Sequence, residues 1–87
     1  MNQTKQIKLK ENYIYKTKHN MTEKTGLMVV TKIEMRDKEY FKGYDLPPYS
    51  ELNKDIGANW ELPTADVGDH WTFIEVGPKE DYPEYFL

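Results

Sequence analysis

The sequence contains no cysteine, and this absence removes several kinds of chemistry at once. A chain without thiols forms no disulfides, no cysteine-ligated zinc or iron–sulfur sites and no thiolate nucleophile. We therefore predict that the protein holds no cofactor and no metal ion. The lack of disulfides also fits a reducing compartment, so we predict a cytoplasmic location.

Long hydrophobic runs are absent as well. No window approaches the ~18 consecutive apolar residues of a membrane-spanning helix. Residues 1–6 lead into charged sequence without the apolar core of a signal peptide. We therefore expect neither a membrane partner nor secretion.

Arginine is nearly absent, since Arg36 is the single arginine among twelve basic residues. Guanidinium groups read guanine and clamp phosphate in a bidentate manner, whereas lysine acts as a point charge. The composition therefore disfavours sequence-specific DNA recognition. Few alanines beside many lysine, asparagine, isoleucine and tyrosine residues are typical of AT-rich genomes, such as those of low-GC bacteria and their phages.

Charges of the two signs are separated along the chain. Residues 1–44 carry ten basic against five acidic groups, a balance of +5, and residues 45–87 carry two against ten, a balance of −8. Such asymmetry indicates either two different partner surfaces or an attraction that holds the halves of a compact domain together.

Alternating apolar and polar residues predict a chain built mainly from short β-strands. Leu27, Val29, Thr31, Ile33 and Met35 are expected to share one face of the clearest strand. The predicted strands cover 12–18, 26–35, 39–44 and 70–76, with short extended segments at 6–9 and 59–63.

Proline and glycine interrupt this pattern. Pro47 and Pro48 lack a backbone donor and end the third strand. Residues 50–56 then predict a short helix, with Ser50 as its N-cap and Gly57 as its stop signal.

The length of 87 residues allows one domain. We predict a mainly β fold: a small antiparallel curled sheet or partly open barrel, SH3-like or OB-like, with one short helix. Residues 6–77 are expected to form the β-rich domain. A flexible amino terminus at 1–5 precedes it, and an acidic, aromatic tail at 78–87 follows it.

No catalytic or metal-binding motif is assembled in the sequence. The nearest cluster is Asp66, Asp69 and His70, with Glu75 further along. Adjacent residues of an extended strand point to opposite faces, so Asp69 and His70 are not expected to meet on one ion. The other histidine, His19, is expected in a loop with no fixed relation to them. We therefore predict that the protein is not an enzyme.

The tail is the most unusual stretch and the first candidate binding site. It combines acids with large rings, a composition able to dock into a basic, apolar groove on a partner. The alternative is that Tyr82, Phe86 and Leu87 fold back and close one end of the core. The candidate partner-binding residues are Trp60, Glu80, Asp81, Tyr82, Glu84, Tyr85 and Phe86.

Both tryptophans lie in the acidic half of the chain. A tryptophan in so small a domain usually belongs to the core, whereas an exposed one rimmed by carboxylates resembles an interaction hot spot. We expect Trp71 to be buried and Trp60 to be partly exposed.

A second candidate site interleaves basic and aromatic residues near the amino terminus. Single-strand binders combine a cationic track with rings on which bases stack. The alternative is that Tyr13 and Tyr15 share a core face while the lysines between them face water. The candidate nucleic-acid-binding residues are Lys8, Lys10, Tyr13, Tyr15, Lys16 and Lys18.

These features favour a non-enzymatic protein-binding module. It would be a small bacterial or phage inhibitor or adaptor that presents its acidic, aromatic half to a basic partner protein. The alternative is a small β-barrel that binds single-stranded nucleic acid through the lysine and tyrosine face. A third hypothesis is an accessory domain of a larger assembly.

Overall fold

A computed structural model describes residues 8–46 and 59–86, and these residues form one antiparallel sheet that does not close. The strands are β1 Tyr13–His19, β2 Thr25–Met35, β3 Glu39–Asp45, β4 Asn59–Pro63 and β5 Trp71–Pro78. Single 3-10 turns cover Thr64–Asp66, Lys79–Asp81 and Pro83–Phe86. The predicted mainly β class, a small curled and partly open sheet, is confirmed. The helix predicted at 50–56 lies outside the described residues, and the SH3-like or OB-like parallel stays a prediction.

The strands follow the order β4-β3-β2-β1-β5 across the sheet. The first four form a meander in which each strand pairs with its neighbour in sequence, and β5 returns to pair antiparallel with β1. All of the longer predicted strands are present, and the extended segment at 59–63 is β4. Residues 8 and 9 are not in a strand, contrary to the prediction for 6–9.

The sheet is strongly curled, as one contact between its opposite edges shows. Strands β4 and β5 are four steps apart, which in a flat sheet is a separation of about 19 Å. The ring centroids of Trp60 on β4 and Trp71 on β5 are nevertheless 4.6 Å apart. The sheet therefore has a concave face and a convex face. The rings of Trp60 and Trp71 meet on the concave side.

The main core fills the concave face. Aromatic rings from three strands meet there, with Phe73 5.7 Å from Phe41 and 5.6 Å from Trp60, both edge to face. Such pairs add to the hydrophobic stabilisation that comes from burial alone. The buried members of this cluster are Leu9, Tyr15, Met28, Val30, Phe41, Trp60, Val67 and Phe73.

A β-bulge in β2 changes which residues share a face. The register with β3 shifts between Val30 and Lys32, so Thr31 is an extra residue, and Ile33 packs on the concave face. Val29 belongs to the convex cluster, so the expectation that Val29 and Ile33 share one face is wrong. A bulge sets two residues against one and thereby shifts the alternation by one position.

Both tryptophan exposures differ from expectation. Trp60 is buried, with 8% of its surface exposed, whereas Trp71 is only half-buried. The Trp60 indole is held inside by a hydrogen bond from Nε1 to the buried Asp45 carboxylate, at 2.7 Å. Trp71 begins the edge strand β5, where fewer neighbours cover it.

Candidate partner-binding surface

Residues 79–86, called the C-terminal segment below, leave β5 and fold onto the domain. The Lys79 N–H donates to the Asn12 carbonyl at 2.7 Å, which extends the β1–β5 pairing past the end of both strands. The two 3-10 turns are closed by bonds from the Tyr82 N–H to the Lys79 carbonyl (3.0 Å) and from the Tyr85 N–H to the Tyr82 carbonyl (3.2 Å). The segment therefore has a defined backbone shape.

The rings of the C-terminal segment face the sheet. Tyr82, Tyr85 and Phe86 pack against a second cluster on the convex face, and the Tyr82 hydroxyl donates to the Val76 carbonyl at 3.4 Å. Gly77 makes room for this contact, since a Cβ there would lie 3.0 Å from Cε2 of Tyr82. The buried residues beneath the rings are Ile14, Val29 and Leu46. Tyr82 and Phe86 thus fold back onto the core, while Leu87 lies outside the described residues.

The carboxylates of the C-terminal segment point to solvent. Glu80, Asp81 and Glu84 are exposed, and among residues 8–46 and 59–86 none of them has an ion pair or a side-chain hydrogen bond. The neighbouring Lys79 makes no ion pair with any of these three carboxylates. Its ammonium group lies instead 4.9 Å from the centre of the Phe86 ring. The segment therefore carries three negative charges on a folded backbone, with no ion-pair partner among the described residues.

An open cleft adjoins this segment. Its volume is about 480 Å³, and two acids, Glu80 and Glu11, are among its lining residues. The Glu11 carboxylate accepts a hydrogen bond from the Ile33 N–H at 2.8 Å, so this acid is held in position. The cleft is lined by Glu11, Asn12, Tyr13, Pro78, Lys79 and Glu80. A cleft of this size and mixed polarity can take up a partner side chain beside the acidic segment.

The structure groups six of the seven residues expected to bind a partner. Glu80, Asp81, Tyr82, Glu84, Tyr85 and Phe86 all lie in the C-terminal segment. Trp60 does not join them, because it is buried in the concave core. It has no exposed ring to offer as a hot spot, which corrects its place in the candidate set.

The residues expected to bind nucleic acid are divided between different surfaces. Tyr15 is fully buried, and its hydroxyl accepts a hydrogen bond from the Lys10 N–H at 2.9 Å. Burial raises the pKa of Tyr15 above its ordinary value. Lys16 and Lys18 are exposed, but they alternate with Tyr13 and Tyr15 along β1 and therefore lie on the other face.

The two remaining members of that set do not restore a basic aromatic face. Lys8 is exposed. The Lys10 ammonium lies 4.8 Å above the half-buried Tyr13 ring and 3.5 Å from the Glu75 carboxylate. Of the two tyrosines, Tyr15 is not available for base stacking, which corrects that part of the expectation.

The histidines and nearby acids form separate local contacts. Asp69 and His70 lie in a turn, and Nδ1 of His70 is 3.7 Å from Oδ2 of Asp69, so the expectation that they point apart in a strand is wrong. His19 is the last residue of β1 rather than part of a loop, and its Nδ1 accepts bonds from the N–H groups of Met21 and Thr22. Within the described residues, no group of three histidines or acids is placed to hold a metal ion.

One ionic cluster was not expected from the sequence. Nε of Arg36 lies 2.6 Å from the Glu34 carboxylate, and its Nη2 lies 2.6 Å from the Glu61 carboxylate of β4. The hydrogen bond to Arg36 lowers the pKa of Glu34, and the bonds to Glu61 and Glu34 raise the pKa of Arg36. Glu61 and Arg36 are 25 positions apart, so no local sequence pattern predicts the second contact.

No family model, curated protein or solved structure matches this chain. In the part of the chain that the structure describes, no helix is long and apolar enough to cross a membrane.

Proposed function

We propose that this chain is a non-enzymatic protein-binding module, a small inhibitor or adaptor of bacterial or phage origin, that acts through its C-terminal segment. The partner is a protein with a basic surface. The proposal rests on one observation: Glu80, Asp81 and Glu84 are exposed and have no cationic partner among the described residues. A cytoplasmic location stays part of the proposal.

The state of the other acids supports this choice. Glu34 and Glu61 share Arg36, and Glu75 is 3.5 Å from Lys10, so these carboxylates already have cations. Glu23, Asp37 and Asp66 also have no ion pair with a described residue, but they are far apart in the chain. The three acids of the C-terminal segment lie within five residues, so they present a concentrated negative charge to a partner's lysines and arginines. Complementary charge accelerates encounter and selects against acidic partners.

The folded backbone of the segment also favours binding. A free acidic tail would lose conformational entropy when it docks, whereas a segment already held by its rings loses less. The half-buried rings of Tyr82, Tyr85 and Phe86 provide apolar area between the acids. A basic partner that contacts both groups gains affinity from rings and specificity from charges.

The test compares charge-neutral variants of nearly identical shape. The variant Glu80→Gln, Asp81→Asn, Glu84→Gln removes three charges and leaves the ring contacts in place. Partners captured by the tagged wild-type chain are purified and titrated against both proteins by calorimetry at two salt concentrations. We expect the variant to bind at least about ten-fold more weakly, with a smaller dependence on salt.

A matched control removes the same charge elsewhere. Glu23→Gln, Asp37→Asn, Asp66→Asn neutralises three acids that have no ion pair with a described residue and lie outside the segment. This control is expected to bind like wild type. Equal affinity of the wild-type chain and the segment variant, or equal loss in both variants, would rule out the C-terminal segment as the binding surface.

A titration with labelled single-stranded oligonucleotides decides the alternative function. Lys16 and Lys18 are exposed on the convex side of β1 and supply the cations that such binding would need. Binding that weakens steeply as salt rises, and that Lys16→Gln with Lys18→Gln abolishes, would replace the protein-binding proposal.

A further inference from the structure

Within residues 8–46 and 59–86, strand β5 is an edge of the sheet: it pairs with β1 on one side, and on the other side only Trp71 makes a bridge, to Val67. The Asn20 N–H donates to the His70 carbonyl at 2.9 Å, which makes these two residues a hydrogen-bonded pair. Such pairs alternate along an antiparallel ladder, so Thr72 and Ile74 also direct their backbone groups at β1. The intervening residue Phe73, and Glu75 beyond Ile74, therefore direct N–H and C=O groups away from the sheet.

The outward groups at the first residue of β5 are already used. The Trp71 carbonyl accepts a hydrogen bond from the Gly68 N–H at 2.6 Å. Beyond the centre of the strand, the Val76 carbonyl accepts the Tyr82 hydroxyl. No such bond from the described residues reaches the outward groups of Phe73 or Glu75. The unpaired part of the edge is thus short and is centred on Ile74.

The part of this edge before Glu75 lacks the features that usually prevent pairing with another chain. Natural edge strands are short or carry lysine, proline or inward charges. The opposite edge, β4, has five residues and ends at Pro63. Strand β5 has eight residues and no lysine, and its proline is its last residue. Its charged residue, Glu75, and its β-bulge, at Val76, both come after Ile74. Ile74, in its middle, is 59% exposed.

We propose that β5 pairs with β5 of a second copy of this chain, antiparallel and with Ile74 opposite Ile74 across a two-fold axis. In this register Phe73 of each copy lies opposite Glu75 of the other, and the two residues exchange the N–H···O=C bonds that each copy leaves open. The two Ile74 side chains lie on the convex side, directly opposite each other, and cover one another. The two sheets become continuous.

The charges of β5 fit a second copy of itself. With Ile74 at the centre, Phe73 lies opposite Glu75, so no two like charges face each other, and regular pairing ends at the bulge residue Val76. Each Glu75 keeps its own cation, Lys10, at 3.5 Å. Registers centred on Thr72 or Phe73 would require, for their outer pairs, the Trp71 carbonyl that Gly68 already occupies. A register centred on Glu75 would place the two Glu75 carboxylates opposite each other. The strand is therefore self-complementary in one register.

The test is the concentration dependence of the mass of the full chain. Sedimentation or light scattering is run from about 10 μM to about 1 mM, where an interface of two strands is expected to associate weakly. We expect the wild-type mass to double across this range. Ile74→Lys places like charges opposite each other at the axis and is expected to raise the dimer dissociation constant at least about ten-fold.

Two comparisons make the result specific to β5. Met35→Lys makes the same change at another exposed apolar residue, and it is expected to dimerise like wild type. Amide hydrogen exchange of the wild-type chain should show slower exchange at Phe73 and Glu75 at the higher concentration, which is decisive even if Ile74→Lys does not fold. A wild-type chain that stays monomeric, or a dimer without protection at these two amides, overturns the proposal.

This inference does not depend on the C-terminal segment. The variant neutralised at Glu80, Asp81 and Glu84 should dimerise as wild type does. Loss of partner binding and loss of dimerisation are thus separate outcomes.

Discussion

The indole Nε1 of Trp60 donates a 2.7 Å hydrogen bond to Oδ1 of Asp45, and both residues are buried. Trp60 lies opposite Gly43 on the neighbouring strand, so its indole reaches along β3 to a carboxylate two residues away. A buried carboxylate that loses a donor retains its desolvation cost without that compensation. This contact therefore ties the edge strand β4 to the core.

Replacing Trp60 by Phe should destabilise the domain by about 2 to 4 kcal/mol, because it removes a donor to a buried carboxylate and leaves unfilled volume. Urea unfolding followed by circular dichroism measures the free energy. Trp71→Phe is the matched control, since Trp71 is half-buried, and its cost should be about 1 kcal/mol from weaker ring packing. Equal losses in the two variants would contradict the role given to the hydrogen bond.

Acid should weaken the domain through Glu34. Arg36 lowers the pKa of Glu34 in the folded state, so the pair contributes stability above the ordinary glutamate pKa and loses it as pH falls through the lowered value. Arg36→Gln should move the Glu34 pKa up towards its ordinary value. The free energy of unfolding should then fall less steeply as the pH is lowered. Carboxyl titration by NMR measures the first effect and urea unfolding across acidic pH the second.

Glu61→Gln is the control for this experiment, because it leaves the bond between Arg36 and Glu34 intact. Its Glu34 carboxyl should keep a lowered pKa. A Glu34 pKa that moves as far in Glu61→Gln as in Arg36→Gln would show that the direct contact is not the cause.

Two glycine substitutions should destabilise the domain for different physical reasons, a steric clash at Gly43 and backbone strain at Gly77. At Gly43 a Cβ would overlap the backbone carbonyl of Val29 and come within 2.6 Å of Cε of Met28. Gly43→Ala should therefore cost about 3 kcal/mol or more. At Gly77 the nearest atoms belong to the Tyr82 ring, which can move, but φ is +158°, a conformation that residues with a side chain rarely adopt. Gly77→Ala should therefore cost about 1 to 3 kcal/mol, mainly through backbone strain.

The two glycine variants should also differ in which part of the chain becomes accessible to proteases. Gly77→Ala should displace Tyr82 and make the C-terminal segment more sensitive to limited proteolysis, whereas the rest of the domain stays folded. Unfolding free energies in urea and the cleavage sites, identified by mass spectrometry, check both statements. A loss of less than about 1 kcal/mol for Gly43→Ala would mean that the sheet near Gly43 yields more easily than its contact with the Val29 carbonyl indicates.

The sequence by itself determined which stretches form strands. Alternation and β-branched residues located β1, β2, β3 and β5 because side chains of an extended chain point to opposite faces in turn, a property of the local backbone. Composition also predicted the acidic and aromatic character of residues 79–86. Each of these properties can be assessed from a few neighbouring residues.

Tertiary structure decided which faces became buried. The bulge at Thr31 moved Ile33 to the concave side, and the curl of the sheet buried Trp60 against Asp45 while Trp71 stayed half-exposed. The same folding turned the rings of the C-terminal segment inward and its carboxylates outward. These outcomes depend on contacts between residues far apart in the chain, whose energies no local pattern contains.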